Sequence, residues 1–125
     1  MATLKIRELS VGDWVLMDGE PAKALRLTMA GRSIFKGLSG QIYGSVGDDI
    51  FPLPIVPDIL DVNGWQRNEE DEYMEYYGDP TSGIAHTKGT YRYQLEAPGT
   101  SVVCYFVHQL QHALRLAGVD KEINL

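Results

Sequence analysis

The stretch "VGDWVLMDGEPAKALRL", residues 11–27, sets two apolar runs on either side of Asp18-Gly19. Asp-Gly in that position is a strong hairpin signal, because a type I′ turn needs positive φ at both central residues. The stretch therefore predicts two antiparallel strands joined at Asp18 and Gly19. Pro21 has no N–H to give a ladder, which predicts that the second strand starts on a sheet edge. Working outward, "SIFKGLSGQIYGSVGDDIFPLPI" (33–55) consists of short apolar runs, with Gly31 just before it and glycines at 37, 40, 44 and 47 within it read as turns. Such frequent turn signals predict a small, strongly curved antiparallel sheet or barrel. Gly-Asp before a strand, a tight turn and a second strand follow the way SH3-like barrels begin, a fold that carries many functions.

Residues 51–57 change character. Prolines at 52, 54 and 57 make an extended connector, and Pro57 suits the first position of a short helix through Ile59, Leu60 and Val62, stopped by Asn63-Gly64. A second hairpin is expected around Lys88-Gly89, with Tyr91, Tyr93 and Leu95 at period two. Near the end, Val103, Val107, Leu110, Leu114 and Ala117 recur at spacings of four, three, four and three, which is one helical stripe. Gly118 is placed to end that helix and Arg115 to complement its dipole. Its start is open: 102–107 is β-branched and aromatic enough for a strand, while Thr100 or Ser101 would cap an earlier helix. The last residues, "KEINL", read as a short strand.

The expected class is α+β, one domain over 1–125. It comprises a β-rich hairpin region (1–50), a connector with a short helix (51–64), and a second hairpin region with a C-terminal amphipathic helix (65–125). A hydrophobic fraction of 44% and a charged fraction of 22% are globular values and exclude a disordered chain. "MATLKIRELSVGDW" has no apolar h-region and no stretch approaches a membrane span, so a cytoplasmic location without membrane contact is expected. The lone Cys104 allows no internal disulfide and fits a reducing compartment.

Net charge is −6, and all of it falls after residue 50. That balance works against nucleic-acid binding, which rests on neutralising phosphates. Lys5, Arg7, Lys23, Arg26, Arg32 and Lys36 nevertheless sit in the neutral half and could form a local basic patch there.

His108 and His112 are an i, i+4 pair able to share a metal, and His86 would be the third ligand of a small metal-dependent hydrolase. Gln109 stands where the H-E-x-x-H enzymes have their general base, and Arg115 is a cation beside the pair. Measured from the aliphatic stripe, both imidazoles are expected to face water. Metal binding and a catalytic constellation are accordingly not expected, nor is a cofactor. Cys104, flanked by valines and aromatics, reads as a core thiol rather than a nucleophile. "DVNGWQRNEEDE" (61–72) places Asp61, Asn63, Glu69 and Glu72 like calcium-loop ligands. Trp65 and Gln66 occupy positions where that loop needs an oxygen ligand and a glycine. Glu69, Glu70, Asp71 and Glu72 are too concentrated to be buried together. With Tyr73, Tyr76 and Tyr77 they read as a polar, aromatic surface for a protein partner. The glycines of 37–49 lack the Lys-Ser/Thr of a phosphate-binding loop.

"ELSVGDWVLMDGEPAKAL", "FPLPIVPDILDVNGW" and "YFVHQLQHALRLAGVDKEINL" together resemble a family of short uncharacterised proteins from gut anaerobic bacteria and their phages and mobile elements. The shared order is a Gly-Asp-Trp-Val hairpin, a Pro-Leu step into a short helix ending Asn-Gly-Trp, and a terminal Val-His-Gln-Leu-Gln helix. The resemblance implies no known activity or cofactor. It marks His108 as the more typical histidine, with a structural role through a hydrogen bond to backbone at a sheet–helix junction. The expected function is a non-catalytic interaction or accessory module of a phage or mobile element. A metal-dependent hydrolase and nucleic-acid binding by the N-terminal half are the alternatives.

Overall fold

Asp18 and Gly19 both adopt positive φ, 51° and 80°. They close a two-residue turn between β1 (Trp14–Met17) and β2 (Glu20–Arg26), with Met17 opposite Glu20. From this hairpin the chain continues through β3 (Ser33–Gly37) and β4 (Ile42–Ser45), and β5 (Phe51–Pro52) returns beside β1. The sheet order is β4-β3-β2-β1-β5, antiparallel throughout. The computed structural model describes residues 2–125. These form two compact units, one ending at Leu53 and the other running Pro54–Leu125.

The first unit departs from expectation in three places. Its sheet is open, with β4 and β5 at opposite edges, so the expected barrel does not close. β2 lies between β1 and β3 instead of on an edge. Pro21 is tolerated there because it stands near the start of the strand, where β3 has already ended and Leu38 donates its N–H to the Pro21 carbonyl. Gly37 and Gly44 are strand residues, not turn residues. Beneath the sheet Leu4, Val15, Met17, Ala22, Ala24, Phe35 and Ile50 form a buried cluster. Phe35 is fully enclosed there, and truncating such a ring to alanine typically costs about 3–5 kcal/mol.

The second unit opens with α1 (Pro57–Val62), with Pro57 in its first turn and Gly64 at φ 91° just past its end. β6 (Gln66–Glu70), β7 (Met74–Gly78), β8 (Gly83–Thr87), β9 (Tyr93–Ala97) and β10 (Thr100–Cys104) then make a plain meander, each strand paired with its sequence neighbour. β9 and β10 are joined at Pro98-Gly99, where Gly99 has φ 75°. Thr100 and Ser101 therefore begin a strand rather than cap a helix, and Val103 lies on that strand, 37% exposed, outside the helical stripe.

The helix α2 runs Val107–Leu116. Gln109 reaches back and accepts the backbone N–H groups of Tyr105 (2.8 Å) and Phe106 (3.2 Å), satisfying donors that a helix start leaves orphaned. At the far end Gly118 takes φ 73°, Val119 N–H bonds the Leu114 carbonyl and Gly118 N–H bonds that of Arg115. This is a complete Schellman stop. "KEINL" forms no strand; side chains hold it instead. Asn63 donates to the Ile59 and Asn124 carbonyls (2.7 and 2.8 Å) and accepts the Asn124 N–H (2.7 Å). Among the described residues no helix is long and apolar enough to cross a membrane.

Candidate functional site

Directly opposed residues of an antiparallel sheet share a face. In the second unit that register lines up Glu70, Glu75, His86, Tyr93 and Cys104, one from each of β6 to β10. This row brings two carboxylates, an imidazole, a phenol and a thiol onto one face. His86 Nδ1 lies 3.1 Å from Glu75 Oε1, its Nε2 lies 2.9 Å from the Thr90 carbonyl oxygen, and its ring stacks on Tyr93 at 4.1 Å. The second carboxylate oxygen of Glu75 accepts from Arg67 (3.1 Å) and from the Tyr77 hydroxyl (2.9 Å).

The ionisations follow from that packing. Burial pushes the Glu75 carboxyl up, but bonds from Tyr77, Arg67 and His86 outweigh it and hold the group below the usual carboxylate range. Burial and then the neighbouring Glu75 charge raise the Tyr77 hydroxyl well above the usual phenol value and move Tyr93 to about 12. Burial alone moves the Cys104 thiol to about 11, which leaves it a protonated, poor nucleophile at neutral pH.

A Glu–His pair resembles half of a catalytic triad, but a general base needs one ring nitrogen facing substrate. Here both nitrogens of His86 face protein acceptors. Glu75 and His86, with Arg67, Tyr77 and Thr90, form a hydrogen-bonded lock across neighbouring strands.

The other sequence candidates fall in separate places. His108 is buried, contrary to the expected solvent-facing imidazoles, and so is Gln111, while His112 is half-buried. Burial of α2 covers a wider arc than its aliphatic stripe, from Ala113 round through Val107 to His108, so flanking polar residues are enclosed with it. The His108 and His112 rings meet edge to face at 5.9 Å, and Phe106 stacks on His108 at 6.1 Å. His86 belongs to the Glu75 lock on β8. Among the described residues no group of three or more His, Cys, Asp or Glu is arranged to hold a metal ion.

The acidic, tyrosine-rich stretch is divided by the β pleat. Glu75 and Tyr77 point inward, into the lock. Asp71 accepts the Tyr73 and Met74 N–H groups at the hairpin turn (2.8 and 2.7 Å), and Glu70 pairs with Arg67 (3.1 Å) and Lys88 (2.9 Å). Glu69, Glu72, Tyr73 and Tyr76 remain as an outward set, with Tyr73 69% and Tyr76 37% exposed. Beside them every residue of β6 is exposed, at the edge of the sheet.

Three arrangements have no counterpart in the sequence reading. In the first unit the Glu20 carboxylate accepts from Ser39 N (2.9 Å), Ser39 Oγ (2.8 Å) and the Tyr43 hydroxyl. It occupies the space over Gly37, where a Cβ would sit 2.3 Å from its Oε1. Tyr43 and then Ser39 lower the Glu20 carboxyl, and Glu20 in turn raises Tyr43 to about 12. In the second unit Lys121 Nζ forms an ion pair with Asp79 Oδ2 at 2.6 Å and sits 4.6 Å over the Trp65 ring, whose Nε1 donates to Ser82 Oγ at 3.0 Å. Third, a shallow cleft of about 240 Å³ in the first unit is lined by Lys5, Ile6, Arg7, Thr28, Met29, Val46 and Gly47. The available signals were Gly37 between two apolar runs and Lys121, the one base in the C-terminal tail, set between Asp120 and Glu122.

No family model, curated protein or solved structure matches the chain.

Proposed function

We propose that the chain is a non-catalytic interaction module, and, as the resemblance to short phage and mobile-element proteins implies, an accessory protein of such an element working in the cytoplasm. The second unit meets a basic partner protein along β6 and the β6–β7 hairpin. One observation carries this reading: β6 is a sheet edge exposed at all five residues, bordered by outward Glu69, Glu72, Tyr73 and Tyr76. An edge strand offers unpaired backbone groups to an added strand, and the charges and bulge of β6 restrict which strand can add there. The outward acids favour a cationic partner, and Tyr73 and Tyr76 beside them supply the aromatic area typical of protein interfaces. The bulge between Arg67 and Glu69 limits pairing to the Glu69–Glu70 end of the strand. In the first unit the return of β5 beside β1 after a four-stranded meander supports a distant likeness to SH3-like sheets, a likeness that carries no function by itself.

The test is an NMR titration with a defined lysine- and arginine-rich peptide able to adopt an extended form. Shift changes confined to residues 66–76, and lost in the Glu69→Lys/Glu72→Lys variant, support the module. Changes absent from this hairpin, or unchanged in the variant, overturn it.

A further inference from the structure

The outer face of the first sheet gathers cations. Lys23 of β2 is directly opposite Lys36 of β3, in a row running Trp14–Lys23–Lys36–Ile42 across four strands. In the adjacent row Arg26 is opposite Ile34, and Ile34 is opposite Gly44. Arg32 lies across the space that Gly44 leaves: a Cβ there would stand 3.4 Å from Arg32 Cδ, and Arg32 reaches the Gly44 carbonyl at 3.5 Å. Lys23 Nζ is held 5.9 Å over the Trp14 ring.

Arg26, Arg32 and Lys36 are exposed and Lys23 half-exposed. Among the described residues no carboxylate is ion-paired to any of the four. Like charges set directly opposite across strands destabilise a sheet. An acid at position 23 or 36 would relieve that repulsion, so this face is costly to the fold unless an anion meets it.

We propose that this face binds the phosphate backbone of a single-stranded nucleic acid. Four cations over two neighbouring rows match a run of phosphates, and the paired Lys23 and Lys36 give no fixed fork for a lone carboxylate. Half-buried Ile34 lies between Arg26 and the Arg32 side chain, and Ile42, 52% exposed, ends the lysine row at the sheet edge, which gives unstacked bases apolar surface beside the cations. A duplex would present only its backbone to such a flat surface. The net negative charge of the chain arises after residue 50; before it six acids balance six bases, and Glu20 of β2 is taken up by Ser39 and Tyr43. The proposal concerns a different surface and ligand from the hairpin reading above, and stands or falls without it.

The experiment is fluorescence anisotropy of a labelled mixed-sequence 20-nucleotide single strand, and of its duplex, over a salt series. Four phosphate contacts on a single strand predict a log–log salt slope of about −3, or roughly a 50-fold loss of affinity between about 50 and 200 mM salt. Lys23→Gln/Lys36→Gln should fold at least as stably as the parent, since it removes an opposed pair. Its slope should halve to about −1.4, leaving roughly a 7-fold salt effect. Arg26→Gln/Arg32→Gln should behave alike. Lys5→Gln/Arg7→Gln, the same charge change in the separate cleft, should bind as the parent does. No binding at the lowest salt, an equal loss in the Lys5/Arg7 variant, or tighter binding of the duplex each overturns the proposal.

Discussion

Replacing Lys121 by methionine should loosen the second unit by an amount that the geometry fixes. The ammonium is 2.6 Å from Asp79, whose side chain is only 2% exposed, and Lys121's own side chain is 20% exposed. Burial pushes the Asp79 carboxyl up, but Lys121, Thr81 and Ser82 more than offset it and bring the group to about 2 instead of 3.8. That gap corresponds to about 2.4 kcal/mol of stability at neutral pH, shared among all the donors. Removing one partner of a buried pair costs up to about 3–5 kcal/mol, but Asp79 keeps its turn donors, so the expected loss is about 2 kcal/mol.

The sign follows from the lowered carboxyl. Its contribution is complete above the unfolded value of 3.8 and is lost as pH falls toward 2. About 1 kcal/mol of it should already be gone at pH 3, so the deficit of the variant should shrink from about 2 kcal/mol at pH 7 to about 1 at pH 3. Urea unfolding in a Trp14→Phe background reads this directly, because the remaining indole is Trp65, beside Lys121. A deficit below about 0.5 kcal/mol at pH 7, the range of an exposed pair, or one that does not change with pH, would refute the clasp.

Glu20→Gln should bring the Tyr43 ionisation down from about 12 toward the ordinary 10, followed residue by residue in an NMR pH titration; an unmoved Tyr43 would remove Glu20 as the cause. Cys104, with its thiol at about 11, should react with a chromogenic disulfide at pH 8 far more slowly than free cysteine and only as fast as the second unit opens, so immediate labelling of folded protein would contradict its enclosure.

Local chemistry was legible where it acts on backbone. Asp18-Gly19, Pro57 with Asn63-Gly64, and Gly118 each carry a conformational demand that few residues meet, and each sits where that demand arises. β6 was illegible for the opposite reason. "QRNEE" is exposed at every residue, so it has no apolar alternation to betray a strand. Val103 fell into the stripe of α2 by coincidence, since a β-branched run followed by a helix offers both periods at once; Pro98-Gly99 was the turn that decides between them. The row from Glu70 to Cys104 depends on register across five strands, and register is a long-range property that no single segment encodes. Lys23 and Lys36 were visible as charges, but only pairing sets them face to face.

The two sheets also differ in how far apart along the chain their partners stand. In the second, β6 to β10 can close one hairpin upon the last, each step needing only a short loop, before Asn63 captures Asn124 and Lys121 finds Asp79. The first is incomplete until Phe51 and Pro52 come back to Leu16 and Val15, across the whole intervening meander. Closure of that distant pair costs chain entropy before it yields contacts. The second unit meets the same demand through a side chain instead of a strand, since Asn63 and Asn124 stand 61 residues apart, so each unit is tied shut by a contact between its distant ends.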